Sequence, residues 1–150
     1  MMWFTHVVFA LLVSLISLKF FSPSSPELYI VLVCLGSILP DIDAPHSIIN
    51  NQLKITKIAP LLFQHRGFFH SIFPVITIYA VLASIGWTGT ALALSLGYFS
   101  HIVSDAFTVK GINIIHPIPG LRISGFMETG SVTEWIMFSV LVISTISLLI

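Results

Sequence analysis

The side chains able to do chemistry are few and sit in short clusters. The chain has three aspartates, Asp41, Asp43 and Asp105, and six histidines in 150 residues. Asp41 and Asp43 flank Ile42 in "LPDID". His65 and His70 bracket "HRGFFH" and enclose Arg66, while His101 and Asp105 belong to "SHIVSD". His6 stands near the start. His101 and Asp105 are related as i and i+4, so on a helix they share one face, a turn apart. His65 and His70 are five apart, a poor spacing for one face. Gly67 lets His65 lie in the loop while His70 occupies the first turn of the helix that follows. Pro40 disfavours helix at Leu39, which places the aspartate pair in a loop or at a helix cap.

Imidazoles and carboxylates without a thiolate suit a divalent metal, zinc first, with manganese or iron as alternatives. The metal-ligand candidates are His6, Asp41, Asp43, His65, His70, His101 and Asp105, enough for two or more ions. Two ions about 3.5–4 Å apart activate a water and stabilise the leaving oxygen in phosphoester hydrolysis. Bound water near neutral pKa removes the need for a Ser or Cys nucleophile. Asp43 and Arg66 are the catalytic candidates. Arg66 either grips a phosphate or carboxylate oxygen through paired hydrogen bonds or serves only as a positive anchor at the membrane face.

Each position also has a structural reading. "PD" is a common turn signal. His101 with Asp105 would make a buried hydrogen-bonded pair. Glu134 fits a capping box with Ser131 as N-cap, and that is the stronger reading for it. His46 and His116 are left outside the site.

The elements that position these residues are apolar. Hydrophobic residues make up 56% and charged residues 8% of the chain, against about 25% charged in a soluble domain. Such a chain cannot cover a globular surface with polar groups, so an integral membrane protein is expected. The net charge is zero, which gives no electrostatic footprint for nucleic acid. Cys34 is the only cysteine. It excludes an intramolecular disulfide and a cysteine-cluster zinc site, and its apolar surroundings predict a buried, inert thiol.

Five apolar segments can be read: about 3–21, 26–40, 68–87, 88–107 and 132–150. The first lacks a basic leader and a small-x-small cleavage pattern, so a retained membrane helix is expected rather than a signal peptide. Spanning takes roughly 20 residues, and the second segment is short by that measure. The predicted fold is therefore all-α, a single domain over 1–150. It is a multi-pass transmembrane helical bundle with four to five membrane helices and two cytoplasmic polar loops. Those loops hold Lys54, Lys57, Arg66, Lys110 and Arg122, whereas the opposite face holds only Lys19. The positive-inside rule thus puts the loops and the N-terminus in the cytoplasm. Alternation alone then brings the starts of segments one, three and five and the ends of two and four to one face. All the candidate ligands lie at those ends. Ionisable groups at membrane depth are expensive and default to function.

The ordered set "TH", "LPDIDAPHS", "HRGFFHS", "GYFSHIVSDAFTVKGI" and "TGSVTE" resembles the bacterial membrane-bound metal-dependent hydrolase family. Its members are also described as LexA-binding, inner-membrane-associated predicted hydrolases. The resemblance covers nearly the whole chain. It implies a multi-pass inner-membrane protein with metal-dependent hydrolase activity and the seven ligands named above. The H-x-x-x-D element is also similar to one in zinc-dependent phospholipases C. The chain departs from the family pattern at Ala44, where a histidine is common, and at His116, where Trp precedes the proline. The expected function is hydrolysis of an ester or phosphoester, with a membrane lipid as substrate and partner, at the cytoplasmic face. Two alternatives stand beside it: a metal-ion or proton transporter, whose coupling residues would sit near the midplane, and a non-catalytic membrane protein of a stress response.

Overall fold

The computed structural model describes residues 1–43, 67–118 and 120–150, with positions 42 and 43 described in backbone only. Helix α1, Trp3–Ser17, has neither Gly nor Pro to interrupt it. Helix α2, Pro26–Gly36, opens with Pro26 in its first turn and with Ser25 as N-cap, whose hydroxyl accepts from Leu28 N at 3.4 Å. Pro there loses nothing, because first-turn amides have no intrahelical acceptor. The chain then tightens into a 3-10 turn, Leu39–Asp43, where Pro40 cannot donate to an α-helical ladder.

A second 3-10 turn, Phe68–His70, precedes helix α3, Ile72–Ser84. Ser71 between them is extended (φ −109°, ψ 172°). His70 therefore sits one element before the helix, not on its first turn as the sequence predicts. A short turn with Gly86 at φ +86° leads into helix α4, Thr88–Ala106. The polar stretch that follows is more than a loop. Strands β1, Ile112–Asn113, and β2, Arg122–Ile123, pair antiparallel, Ile112 opposite Ile123. Helix α5, Val132–Leu149, closes the chain.

Helix α4 is central and packs against α1, α2 and α3, while α5 packs against α1. The α2–α4 contact is closest where glycine removes the side chain. A Cβ at Gly36 would strike the backbone of Leu94, and one at Gly97 the backbone of Val33. Two small cores result. One joins Ala10, Tyr29, Val33 and Ala93; the other joins Tyr98, Ile102 and Ile112, and so fastens the hairpin to α4. Ile72 N also donates to Ile114 O at 2.8 Å, tying the start of α3 to the same hairpin.

Among the described residues five helices stand close to the five predicted segments, and the fold is mostly helical. The one departure from helix is the short hairpin of two-residue strands, and the mostly helical fold is consistent with the all-α expectation. Only α5 among the described helices has both the length and the apolarity to cross a membrane, and α1 and α3 are shorter apolar helices. Helix α4 has 19 residues, but its buried face includes Ser95, Ser100, Ser104, His101 and Asp105, which lowers its apolarity. Helix α5 leaves Trp135, Ile136, Val140, Ile143 and Ile146 exposed, an apolar face suited to lipid rather than water. Cys34 is half-buried and free, less enclosed than the sequence predicts.

Candidate metal centre

Four elements deliver side chains to one point. Helix α1 brings His6, the turn after α2 brings Asp41, the turn before α3 brings His70, and α4 brings His101 and Asp105. All of these except Asp41 are buried, and His70 and His101 are 0% exposed. His6 Nε2 lies 3.6 Å from Asp105 Oδ1. His70 Nε2 lies 3.6 Å from Asp105 Oδ2 and 3.8 Å from Asp41 Oδ1. His101 Nε2 lies 3.8 Å from Asp41 Oδ1 and 3.9 Å from Asp105 Oδ2. The rings of His6 and His101 stack, with centroids 3.8 Å apart and planes 10° apart.

Hydrogen bonds on the far side of two rings fix which nitrogen faces the point. His101 Nδ1 is 2.7 Å from Ser37 O. A carbonyl only accepts, so Nδ1 carries the proton. In the neutral ring Nε2 is then a bare lone pair, and it has no hydrogen-bond partner among the described residues. His6 Nδ1 is 2.6 Å from Ser104 Oγ.

The result is a set of lone pairs and carboxylate oxygens that face one another at 3.6–3.9 Å. These separations are too long for direct hydrogen bonds. Ligands bound at about 2.0–2.2 Å in a tetrahedron stand about 3.3–3.6 Å from one another, so the spacing is close to that of ligands sharing one ion. Among the described residues two overlapping triads, His6–Asp41–His101 and His70–His101–Asp105, each keep their ligand atoms within 4.8 Å of one another. Both draw on His101, whose Nδ1 already faces Ser37. Only one nitrogen of that ring is available, so the two triads describe one place.

Of the expected ligands, the fold brings together His6, Asp41, His70, His101 and Asp105. His65, Arg66 and the Asp43 side chain lie outside the described residues. Several participants were not foreseen. Ser104 and the Ser37 carbonyl orient imidazoles. The amino group of Met1 donates to Asp105 Oδ1 at 2.8 Å. Glu134, 0% exposed, is more than a cap: Ser131 Oγ accepts its amide at 3.4 Å. Its carboxylate accepts Gly130 N at 2.7 Å and Met2 N at 2.6 Å. It thereby ties the start of α5 to the start of α1, one turn before His6. The i+3 spacing of Ser104 from His101 was a weak signal; the contacts across the fold left none.

A family model described as "YdjM inner membrane protein" matches residues 1–149. The chain belongs to that family. It is 40% identical to the inner membrane protein YdjM of Escherichia coli (strain K12) over 97 residues, 58% of this chain and 46% of that protein. The same figures hold for the inner membrane protein YdjM of Shigella flexneri. The match therefore spans less than half the length of these relatives. A Bacillus subtilis (strain 168) protein, uncharacterized protein YvsG, is 31% identical over 113 residues, 73% of this chain and 71% of that one. No solved structure matches the chain. Membership makes this a bacterial inner-membrane protein.

Proposed function

We propose that the chain is a membrane-embedded, metal-dependent hydrolase with one divalent cation, zinc first, held by His70, His101, Asp41, Asp105 and His6. The observation that carries this reading is the convergence of fixed lone pairs and carboxylates from four elements on one buried point. A divalent ion there supplies Lewis acidity toward an ester or phosphoester oxygen and a water-derived nucleophile near neutral pH. His101 and His6 contribute oriented nitrogens, and the two aspartates balance the charge. A second ion would have to draw on ligands beyond these five.

A lipid ester or phosphoester is the substrate class this reading favours. An apolar hollow of about 330 Å³ is lined by Leu39, Phe69, Pro74, Ile78 and Tyr98, among others. Leu39 and Phe69 are near neighbours in sequence of Asp41 and His70, so an acyl chain there would bring its head group toward the site. In this reading the bundle is multi-pass, with the site at the cytoplasmic face. The test is hydrolysis of phospholipid and phosphoester substrates by purified protein in detergent, before and after chelation. Activity lost with the metal and restored by adding it back supports the proposal. Equal activity of native protein and Asp105→Asn refutes it.

A further inference from the structure

We infer that Ser104 is a positioning residue of this centre, holding His6 in the tautomer that presents Nε2 to the cation. The inference rests on the metal-centre reading above. A serine hydroxyl has one proton. Ser104 Oγ lies 2.8 Å from the carbonyl oxygen of His101, which can only accept, so the proton points there. The same oxygen lies 2.6 Å from His6 Nδ1. With its proton committed, it accepts from Nδ1–H. The remaining lone pair of His6 is then on Nε2, facing Asp105 Oδ1.

The opposite assignment turns the hydroxyl to His6 and puts the ring proton on Nε2. That proton would then face Asp105 Oδ1 at 3.6 Å, beyond hydrogen-bond range. Ser104 thus does for His6 what the Ser37 carbonyl does for His101. Both are outer partners that fix a ligand's tautomer and ring orientation. Because Ser104 bonds the carbonyl of His101 as well, one hydroxyl couples the two stacked imidazoles. Ser104 is itself buried, 1% exposed.

The test uses the full chain in detergent and measures Zn²⁺ affinity by chelator competition and the visible absorption of the Co²⁺-loaded protein. Ser104→Ala is expected to weaken Zn²⁺ binding about 10–100-fold, the usual weight of an outer partner, and to alter the Co²⁺ spectrum. Ser104→Thr and Ser104→Val have the same shape and differ in the hydroxyl; the Thr variant is expected to retain native affinity and spectrum and the Val variant to lose both. Ser100→Ala removes a bond of the same kind, to Gly97 O at 2.7 Å, with no imidazole attached, and is expected to keep native affinity. Native binding in the Ala or Val variant overturns the role of Ser104, as does an equal loss in Ser100→Ala. If the unmodified chain binds no metal, the metal-centre reading itself fails, a separate and recognisable result.

Discussion

Gly97→Ala is expected to damage stability and site together, because one helix contact serves both. A Cβ at Gly97 would overlap Val33 O and come within 2.8 Å of Val33 C and 3.0 Å of Ser37 N. All three are backbone atoms of α2 or its cap, so no side chain can swing away. Restoring ordinary contacts of about 3.5–4.0 Å requires α2 and α4 to separate by about 1.5 Å or more, with the overlap on Val33 O setting the shift. Overpacking of this kind costs about 1–3 kcal/mol. The same shift carries Ser37 O away from His101 Nδ1, now at 2.7 Å. That bond would pass the hydrogen-bond limit, for about 1 kcal/mol more. The expected destabilisation is about 2–4 kcal/mol. With the His101 ring released, metal affinity falls about 10–100-fold. The assays are reversible unfolding in mixed detergent–SDS micelles and chelator competition. Gly89→Ala is the control: its Cβ would meet nothing within 4 Å, and alanine gains up to about 1 kcal/mol in a helix. A Gly97→Ala protein as stable as the Gly89→Ala protein, with unchanged metal affinity, refutes the close approach and its link to His101.

Further outcomes follow from single contacts. Glu134→Ala leaves the Met2 and Gly130 amides without their acceptor and is expected to cost about 2–4 kcal/mol in the same unfolding assay, with Glu134→Gln intermediate. Tyr98→Phe removes the hydroxyl that donates to Phe69 O at 2.6 Å. It should cost about 1 kcal/mol and loosen the turn that carries His70, measured as a faster metal off-rate by stopped-flow chelation. Asp105→Asn keeps the shape and removes the charge shared by His6, His70 and the Met1 amino group. Its metal affinity should fall by more than the roughly 10–100-fold of an outer partner.

The helices were legible because long apolar runs punctuated by Pro, Gly and Ser leave few other choices. Pro26 and Ser25 mark the start of α2, and the "SIGWTG" turn marks the α3–α4 hairpin. The hairpin in the second polar stretch was not legible: strands of two residues carry no alternation to read. Nor was the membrane depth of each helix. A helix such as α4 spends its apolarity on a polar inner face, so its length and composition give conflicting signals. In the site, residue types and the His101–Asp105 spacing pointed to side chains that the fold brings together. Alternation of helix ends placed His6, Asp41 and His70 in the same layer. The tautomers were beyond reach, because they depend on which carbonyl or hydroxyl the fold brings behind each ring. Ser37 is 64 residues from His101 and Ser104 is 98 from His6. The Ser131 half of the expected capping box forms, but the Glu134 carboxylate takes Gly130 N rather than Ser131 N, and its bond to Met2, 132 residues away, has no local signature.

The most direct test of the central claim is the metal content of the purified native chain, measured beside His101→Ala and Asp105→Ala by elemental mass spectrometry. A single centre requires about one equivalent of a divalent transition metal in the native protein, since both triads share the one available nitrogen of His101, and little or none in either variant. Native protein without metal after supplementation, or variants that retain it in full, would rule out a metal at this cluster.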